Sequence, residues 1–312
     1  MIWSGVMPAM TTPFDRKLAV DHPFLAQHAA WLLGNGCTGL VMLGSLGEGA
    51  TLEHSEKVDI LKTAIRVAAG KVPVVAAISS LSTANAVRLA KEAEQVGCQA
   101  LMVLPPYVYS SDWREMKNHV STIIAATPLS CMLYNNPVAY KTDFLPTEIA
   151  ELAAEHANLN AVKESSADVR RVSAIREVLG DRLDIFVGVD DALVEGVGAG
   201  AKGWVAGLVN AYPAESVKLF ELAKAGKREE IFALYRWFLP LLRMDTVPKF
   251  VQLIKWVQEQ AGVGSARVRE PRMEIADKEL EVAQATFKTA VANRPKIDER
   301  PFANYKEVSV EA

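Results

Sequence analysis

The sequence predicts an α/β fold, a (β/α)8 (TIM) barrel with a C-terminal helical extension, on three observations. Eight short, almost continuously apolar runs alternate with amphipathic segments over about the first 212 residues. Apolar runs of this kind are typical of parallel strands that are covered on both faces. Beyond them the chain carries helical patterns and no further strand. The length of 312 residues suits one such barrel, and it would also hold two average domains.

The strands and helices of the predicted barrel follow one another along the chain. The predicted strands are residues 6–11, 39–43, 72–78, 100–104, 129–134, 161–163, 185–187 and 203–206. The predicted helices between them are residues 22–35, 55–69, 83–96, 111–126, 147–156, 169–179 and 191–198. Several helical patterns stop at a glycine, as at Gly36, Gly70 and Gly97, which is a common helix end. A doubly wound open sheet is the structural alternative, although no G-x-G-x-x-G motif follows the first strand.

The C-terminal third of the chain is predicted to be helical. The predicted helices are residues 214–225, 227–242, 247–260 and 273–292, with breaks at Pro240, Pro248 and Pro271. We therefore divide the chain into a barrel (1–212), a helical region (213–295) and a polar tail (296–312). The tail lacks periodicity, so we expect it to wrap the surface or to be loose at its end.

Composition and charge exclude several classes of protein. The formal net charge of −3 and the isoelectric point near 6.0 provide no basic surface for nucleic acid or an anionic membrane. No apolar run approaches the eighteen residues of a membrane-spanning helix, and the N-terminus does not resemble a signal peptide. The three cysteines are widely spaced in apolar runs, which suits reduced thiols. We therefore expect a cytoplasmic protein.

The most informative residue for chemistry is Lys163, which ends an apolar run. Burial disfavours an ammonium group and lowers its pKa, so that a neutral amine becomes available as a nucleophile. Such amines form Schiff bases with carbonyl substrates. The structural alternative is a strand-end lysine whose aliphatic stem packs while its amine reaches water.

The ends of the other strands supply possible partners, because the catalytic groups of this fold lie at the C-terminal ends of its strands. Tyr134 ends the adjacent strand at the level of Lys163 and could transfer protons during Schiff-base chemistry. Ser45 is expected to hydrogen-bond the Tyr134 hydroxyl, and the backbone N–H groups of Gly44 and Ser45 could hold a substrate carboxylate. The alternatives are a core tyrosine with its hydroxyl at the rim and a serine that serves only the turn.

Metal chemistry lacks support in this pattern. The five histidines fall in or beside predicted helices, where they cannot cluster at strand ends: His22, His28, His54, His119 and His156. Asp190 and Asp191 could bind a cation, but an N-cap role for one of them at the following helix is favoured. No Gly-rich phosphate cradle follows the last two strands, which argues against a phosphate-recognising barrel. We expect no metal and no cofactor, since a covalent iminium supplies the electron sink.

Three motifs together resemble the dihydrodipicolinate synthase / N-acetylneuraminate lyase family of Schiff-base lyases. They are Gly44-Ser45-Leu46-Gly47-Glu48, Tyr134-Asn135-Asn136-Pro137 and Val162-Lys163-Glu164, in the family's order and spacing. The similarity extends over roughly residues 3–295. As a set the motifs are specific, whereas each alone is weak.

The resemblance implies a role for each matching position. Lys163 would be the Schiff-base lysine, Tyr134 the general acid and base, and Ser45 the relay hydroxyl that also contacts the carboxylate. Tyr107 lies where the family often has a tyrosine that reaches into a neighbouring subunit's site, and a homotetramer built as a dimer of dimers is expected. Gly188 and Val205 fall near family pocket positions.

Two departures from the family pattern bear on the substrate. The synthase of lysine biosynthesis has two threonines where this chain has Ser45 and Leu46. It also has an arginine, which binds the carboxylate of its second substrate, where this chain has Ala139. Both changes make the pocket more apolar, which argues against 4-hydroxy-tetrahydrodipicolinate synthase and against sialic acid lyase.

The residues of the first two motifs are most similar to those of the deaminase that acts on 4-hydroxy-1-pyrroline-2-carboxylate, a small cyclic 2-imino acid. Aldolases and dehydratases of 2-oxo-3-deoxy sugar acids are alternatives within the family. A non-catalytic binding protein on the same barrel also stays open, because fold does not determine function. On every enzymatic interpretation the partner is a small 2-oxo acid such as pyruvate, or a cyclic 2-imino acid, with neither nucleic acid nor membrane involved.

Overall fold

A computed structural model, which describes residues 3–106 and 112–303, shows a closed barrel of eight parallel strands. The strands are β1 (Gly5–Pro8), β2 (Leu40–Met42), β3 (Val74–Ile78), β4 (Ala100–Val103), β5 (Ser130–Asn135), β6 (Leu159–Glu164), β7 (Asp184–Val187) and β8 (Gly203–Ala206). Neighbours pair in the order β1-β8-β7-β6-β5-β4-β3-β2. A parallel bridge from Ala9 to Val41 closes the ring. The predicted barrel is confirmed, and the open doubly wound sheet is wrong.

Helices surround the barrel and continue beyond it. They are α1 (His22–Gly34), α2 (His54–Ala68), α3 (Thr83–Gln95), α4 (Trp113–Ile124), α5 (Pro137–Tyr140), α6 (Pro146–Glu155), α7 (Arg170–Leu179), α8 (Leu193–Gly198), α9 (Pro213–Lys224), α10 (Arg228–Leu242), α11 (Phe250–Gln260) and α12 (Asp277–Ala292). Asp21, Ser82 and Asp112 begin α1, α3 and α4 by accepting a backbone N–H of the first turn. None of the helices in this part of the chain has the length and apolar character that a membrane crossing needs.

The structure corrects two local predictions. The single-turn helix α5 was not predicted; it begins at Asn136, whose side chain accepts the Ala139 N–H, and it contains Pro137 at a position that proline favours. Pro240 was predicted to break a helix, yet it lies inside α10. The helix ends two residues later, and Phe238 and Leu241 are fully buried beside the proline. Apolar burial therefore outweighs the one backbone hydrogen bond that the proline loses.

Two apolar layers explain why the strands are hydrophobic on both faces. The larger layer lies between the strands and the helices. The smaller layer fills the barrel interior and consists of Trp3, Met7, Val41, Val75, Ala77, Ala100, Met102, Leu104, Met132, Tyr134, Ala161, Phe186 and Val205. Tyr134 is thus an interior side chain near the C-terminal end of its strand, where a polar site opens.

The C-terminal helices are fastened to the barrel through a buried ion pair. The Lys255 ammonium on α11 donates to the Glu48 carboxylate at 2.7 Å and to the Thr12 carbonyl at 2.9 Å. The tail follows α12 and lies on α1, where the Phe302 ring packs 5.2 Å from the Trp31 ring. The part of the tail up to residue 303 therefore wraps the surface, whereas the division of the chain at residues 212 and 295 stays a prediction.

Candidate active site

Two motif residues, Asn135 and Glu164, hold the ends of β5 and β6 at one level. Asn135 Nδ2 donates to Glu164 Oε2 at 3.1 Å, and Asn135 Oδ1 accepts the Phe144 N–H at 3.0 Å. Glu164 Oε1 accepts the Ser166 N–H at 2.6 Å. Both side chains are buried, and burial raises the pKa of Glu164. Prediction from the sequence missed this role, because it considered only residues that could react.

Lys163 and Tyr134 are brought together by strand register. They are direct partners in the parallel pairing of β5 and β6, and Lys163 Nζ lies 4.2 Å from the centre of the Tyr134 ring. Lys163 is only 6% exposed. Burial lowers the pKa of Lys163 to about 8, against the opposing effect of the nearby carboxyl groups of Asp245 and Asp190. Roughly a tenth of the amine is therefore neutral at pH 7.

Gly188, which follows β7, leaves the space that the lysine side chain occupies. A Cβ atom at this position would lie 2.6 Å from Lys163 Cε and 2.8 Å from Lys163 Cγ. Both distances are well below van der Waals contact, so any larger residue would displace the amine. The structure thus brings Gly188 next to Lys163.

The hydroxyl of Tyr134 is oriented by its neighbours. It accepts a hydrogen bond from Asn136 Nδ2 at 2.9 Å, which leaves its own proton free to point elsewhere. Burial raises the pKa of Tyr134 to about 12, with the Asn136 hydrogen bond acting in the opposite direction. The ring of Tyr140 meets that of Tyr134 edge-on, with centroids 5.8 Å apart. The Tyr134 phenol is therefore protonated at neutral pH and able to donate.

Ser45 contacts a different tyrosine from the one predicted. Its hydroxyl hydrogen-bonds the Tyr140 hydroxyl instead of that of Tyr134, and Tyr140 in turn hydrogen-bonds Tyr134. The prediction failed because Tyr140 is not at a strand end; α5 carries it back over the barrel mouth. The Asn-Pro pair at residues 136–137 was the available signal, since it is a capping residue followed by a favoured first helical residue.

The turn after β2 provides unoccupied N–H groups. Leu43 adopts a positive φ of 67°, and the chain then passes Gly44 and Ser45. Within residues 3–106 and 112–303, neither the Gly44 nor the Ser45 N–H donates to a backbone carbonyl or to a side chain. The nearest side-chain atom to a Cβ at position 44 would be Met102 Cε, at 3.7 Å. Amides in this state can accept an anionic oxygen atom.

Asp190 does not cap its own helix, contrary to the prediction, and neither does Asp191. Its carboxylate instead accepts the backbone N–H groups of Gly207 and Leu208 at 3.1 Å and 2.8 Å. It also accepts Trp204 Nε1–H at 2.9 Å. Asp190 thereby fixes the turn after β8, and burial raises its pKa to about 6 despite these hydrogen bonds.

Asp245 joins the site from outside the barrel and was not predicted. It lies in the turn Arg243–Thr246 that follows α10. Its carboxyl group lies against Gly207, in the space that a Cβ atom there would fill. Burial raises the pKa of Asp245 well above its usual value, and the charge of Asp190 acts in the same direction, while Lys163 opposes it. No sequence pattern marks this aspartate, because it is near Lys163 only in the folded chain.

The remaining predicted residues occupy varied places. Val205 lies in the interior layer with Tyr134. Leu46 packs in the outer layer between strands and helices, and Ala139 is exposed on α5. Tyr107 lies outside the described residues. In the part of the chain that the structure describes, no three His, Cys, Asp or Glu side chains are grouped so that they could hold a metal ion.

The assembled groups suit attack on a carbonyl carbon. A buried amine that is partly neutral is a nucleophile. A protonated phenol beside it can donate a proton to the water that leaves the tetrahedral adduct. The Tyr140 and Ser45 hydroxyls extend this phenol into a chain of exchangeable protons. The free amides lie on the strand opposite in the ring and could fix a carboxylate.

A family profile, curated sequences and solved structures are similar to this chain over most of its length. The profile described as the Dihydrodipicolinate synthetase family matches residues 2–290. The 4-hydroxy-tetrahydrodipicolinate synthase of Desulforamulus reducens is 29% identical over 279 residues, covering 89% of this chain and 94% of the relative. That of Halorhodospira halophila is 30% identical over 282 residues, covering 89% and 93%.

The similar solved structures are synthases of the same kind as these sequence relatives. The 4-hydroxy-tetrahydrodipicolinate synthase from Methylacidiphilum fumariolicum is similar with a TM-score of 0.90 and 26% identity, covering 94% of this chain and 97% of that one. A chloride-inhibited dihydrodipicolinate synthase from Acinetobacter baumannii, complexed with pyruvate, has a TM-score of 0.87 and 26% identity, covering 93% and 99%. Both matches cover almost the whole of each chain.

Proposed function

The chain belongs to the dihydrodipicolinate synthase family of class I lyases, and on that premise we propose that Lys163 forms a Schiff base with a small 2-oxo acid. The observation that carries the proposal is the buried Lys163 amine beside the Tyr134 ring, with its pKa lowered to about 8. A structural lysine would gain nothing from such burial, whereas a nucleophile needs its neutral form.

In this proposal the substrate carboxylate binds the N–H groups of Gly44 and Ser45, and neutral Lys163 attacks the adjacent carbonyl or imine carbon. Tyr134 donates a proton as water or an amine leaves the tetrahedral adduct. Tyr140 and Ser45 connect the Tyr134 hydroxyl with the barrel mouth. The resulting iminium draws electrons from the neighbouring carbon, which allows an enamine to form and a bond beyond it to break or form.

The first candidate reaction is that of the named relatives. Those relatives are 4-hydroxy-tetrahydrodipicolinate synthases, and the Acinetobacter relative was crystallised with pyruvate. Pyruvate is accordingly the first substrate to test. The condensation also needs aspartate semialdehyde, whose carboxylate would meet Ala139 where the synthases have an arginine.

The second candidate is deamination of 4-hydroxy-1-pyrroline-2-carboxylate, and Ala139 is the observation that favours it. Ala139 is an exposed methyl group on α5, so it offers no positive charge to a second carboxylate. A substrate with one carboxylate does not need that charge. Dehydration or cleavage of a 2-oxo-3-deoxy sugar acid is compatible with the same feature.

Borohydride trapping tests the Schiff base. The protein is incubated with pyruvate, reduced, digested and examined by mass spectrometry, and we expect the added mass on the peptide that contains Lys163. The trapping rate should rise about tenfold per pH unit below pH 8 and level off above it, because the neutral amine is the reactive form. Lys163→Ala should abolish the adduct and leave the fold intact.

A matched control and a substrate comparison complete the test. Lys202→Ala removes a half-exposed lysine that pairs with Asp184, and trapping should be unaffected. Condensation of pyruvate with aspartate semialdehyde and release of ammonia from 4-hydroxy-1-pyrroline-2-carboxylate then distinguish the two candidates. Folded wild-type protein that gives no adduct with pyruvate or with the pyrroline would refute the Schiff-base assignment.

A further inference from the structure

Asp245 reaches the barrel mouth through a gap that only glycine leaves. A Cβ atom at Gly207 would lie 2.1 Å from Asp245 Oδ1 and 2.7 Å from Asp245 Cγ, so even alanine could not occupy this position unchanged. Gly207 directly follows β8, and its N–H donates to Asp190. The carboxyl group from the turn after α10 is thereby placed on the strand end two positions around the ring from Lys163.

Asp190, which is fully buried, and Asp245, which is partly exposed, differ in how their oxygens are used. Asp190 is saturated by Trp204 and by the N–H groups of Gly207 and Leu208. Asp245, by contrast, makes no hydrogen bond or ion pair with any residue in the described ranges, although it is close enough to Lys163 and Asp190 to affect their charges. Asp190 is therefore a structural group, whereas the Asp245 carboxyl is available to a ligand.

Strand order places Tyr134 and Asp245 on different sides of the amine. Tyr134 is on β5, one strand before Lys163, while Asp245 lies over the end of β8, two strands after it. A substrate joined to Lys163 would then meet a phenol on one side and a carboxyl group on the other. Two acid–base groups on opposite sides suit a reaction that removes a proton at one carbon and a leaving group at the next.

We propose that Asp245 is a catalytic acid that protonates a leaving hydroxyl group, and that the substrate is accordingly a 4-hydroxylated 2-oxo acid or its cyclic imine. This inference rests on the Schiff base at Lys163 proposed above and deepens it by naming the substrate class. It gives the C-terminal helices a part in the chemistry, because they carry the acid.

The step balances without any further reactant. Lys163 holds C2 as an iminium, and Tyr134, left as a phenolate after giving its proton to the group that left the tetrahedral adduct, accepts a proton from C3, so that the C3–H electrons form a C2=C3 enamine. The enamine nitrogen then gives its electron pair back to C2 to re-form the iminium, the C2=C3 electrons shift to form C3=C4, and the C4–O bond breaks. Asp245 gives its proton to the departing oxygen, which leaves as water. The proton taken from C3 returns to Asp245 through solvent.

The charged neighbours keep Asp245 suited to this role at neutral pH. Burial and the negative charges of Asp190 and Asp191 favour its protonated form, and only Lys163 opposes them. When Lys163 has become an iminium in the substrate adduct, the same neighbours still act on the Asp245 carboxyl group. We therefore expect hydroxyl loss to decline at alkaline pH as Asp245 loses its proton.

The test separates proton removal from hydroxyl loss. Exchange of the pyruvate methyl hydrogens for deuterium, followed by NMR, requires only the Schiff base and a base. Loss of water from 4-hydroxy-1-pyrroline-2-carboxylate or 2-oxo-3-deoxygluconate, followed by mass spectrometry, requires the acid as well. In Asp245→Asn we expect at least about a 100-fold lower rate of water loss. Pyruvate exchange should be unchanged, because it requires the Schiff base and the base but not the acid.

Each other outcome has a definite meaning. Asp245→Glu should restore part of the water loss, and Asp181→Asn, which changes an 89% exposed aspartate, should behave as wild type. Water loss within threefold of wild type in Asp245→Asn, or an equal fall in exchange and water loss, overturns the proposal. Wild-type protein that exchanges pyruvate but dehydrates neither probe overturns it too, while the Schiff base stands. Absence of wild-type exchange and trapping refutes the Schiff base itself.

Discussion

At the scale of single residues, Tyr140 changes how the proton chain is completed. The family resemblance assigned a tyrosine role to Tyr107, through a neighbouring subunit. Tyr140 hydrogen-bonds Ser45 and meets the Tyr134 ring within one chain. The described residues alone therefore connect the buried phenol with the barrel mouth.

The variant Tyr140→Phe tests that connection. The phenyl ring preserves the edge-on contact with Tyr134, so the loss is confined to one hydroxyl group. We expect the turnover rate to fall by about 100-fold with little change in pyruvate affinity, since proton transfer is affected more than binding. The measurement is steady-state kinetics on whichever substrate the trapping experiment selects.

Two comparisons make the Tyr140 result specific. Ser45→Ala should cause a loss of similar size, and the double variant should be little worse than either single one, because both hydroxyls belong to one chain. Tyr212→Phe, which packs against Trp237 and Phe238, is the matched control and should retain its rate. An unchanged rate in Tyr140→Phe would remove this residue from the mechanism.

At the scale of elements, the ends of β5 and β6 are joined by side chains as well as by the sheet. Asn135→Ala removes the donor to the buried Glu164 carboxylate and the acceptor for Phe144 N–H. We expect the free energy of unfolding to fall by about 2 kcal/mol, the usual consequence of leaving buried polar groups unpaired. Urea unfolding measures this change in free energy. Pyruvate trapping should also become slower, because the ends of β5 and β6 would no longer hold Tyr134 and Lys163 side by side.

The matched control is Asn118→Ala on the exposed face of α4, which should leave both quantities unchanged. Unaltered stability and unaltered trapping in Asn135→Ala would show that sheet pairing alone positions the two reactive residues. A loss of stability with normal trapping would limit the asparagine to holding the fold.

The same elements show how much of the site is predictable from sequence. Strand ends are predictable, because apolar runs stop there and all C-terminal ends share one face of the barrel; Lys163, Tyr134 and Ser45 follow from that rule. Tyr140 escapes the rule because the capped turn at Asn136 lies between strands. Asp245 escapes it because 82 residues separate it from Lys163 and only the packing of the C-terminal helices brings it near.

At the scale of the whole molecule, the helical extension and the barrel form one structure around the site. The family motif ends in Glu48, which proves to be the fully buried partner of Lys255 on α11. Removing one partner of a pair buried this deeply strongly destabilises the protein, because the other charge then stays buried with neither an ion-pair partner nor water. The glutamate of the motif is thus explained by the attachment of the helices that carry Asp245, not by contact with substrate.

A second long-range contact gives the whole fold a pH dependence. His28 on α1 donates from Nε2 to the Asn210 carbonyl in the turn after β8, at 2.8 Å, and Phe302 of the tail packs beside it. Burial lowers the pKa of His28 from 6.5 to about 4, with the backbone hydrogen bond acting against it. The unfolded chain therefore binds a proton at this histidine between these values, while the folded chain does not.

Stability must then rise with pH across this window, because the unfolded state binds more protons. As the pH falls from 6.5 to 4, His28 should remove about 3 kcal/mol from the free energy of unfolding. His28→Gln, which keeps an N–H donor for Asn210, should be somewhat less stable at pH 7.5 but lose less on acidification. Urea unfolding of both proteins at pH 7.5, 5.5 and 4.5 measures the difference. The lowered pKa values of His119 and His156 contribute equally to both, so parallel pH curves would exclude His28 as a source of acid sensitivity.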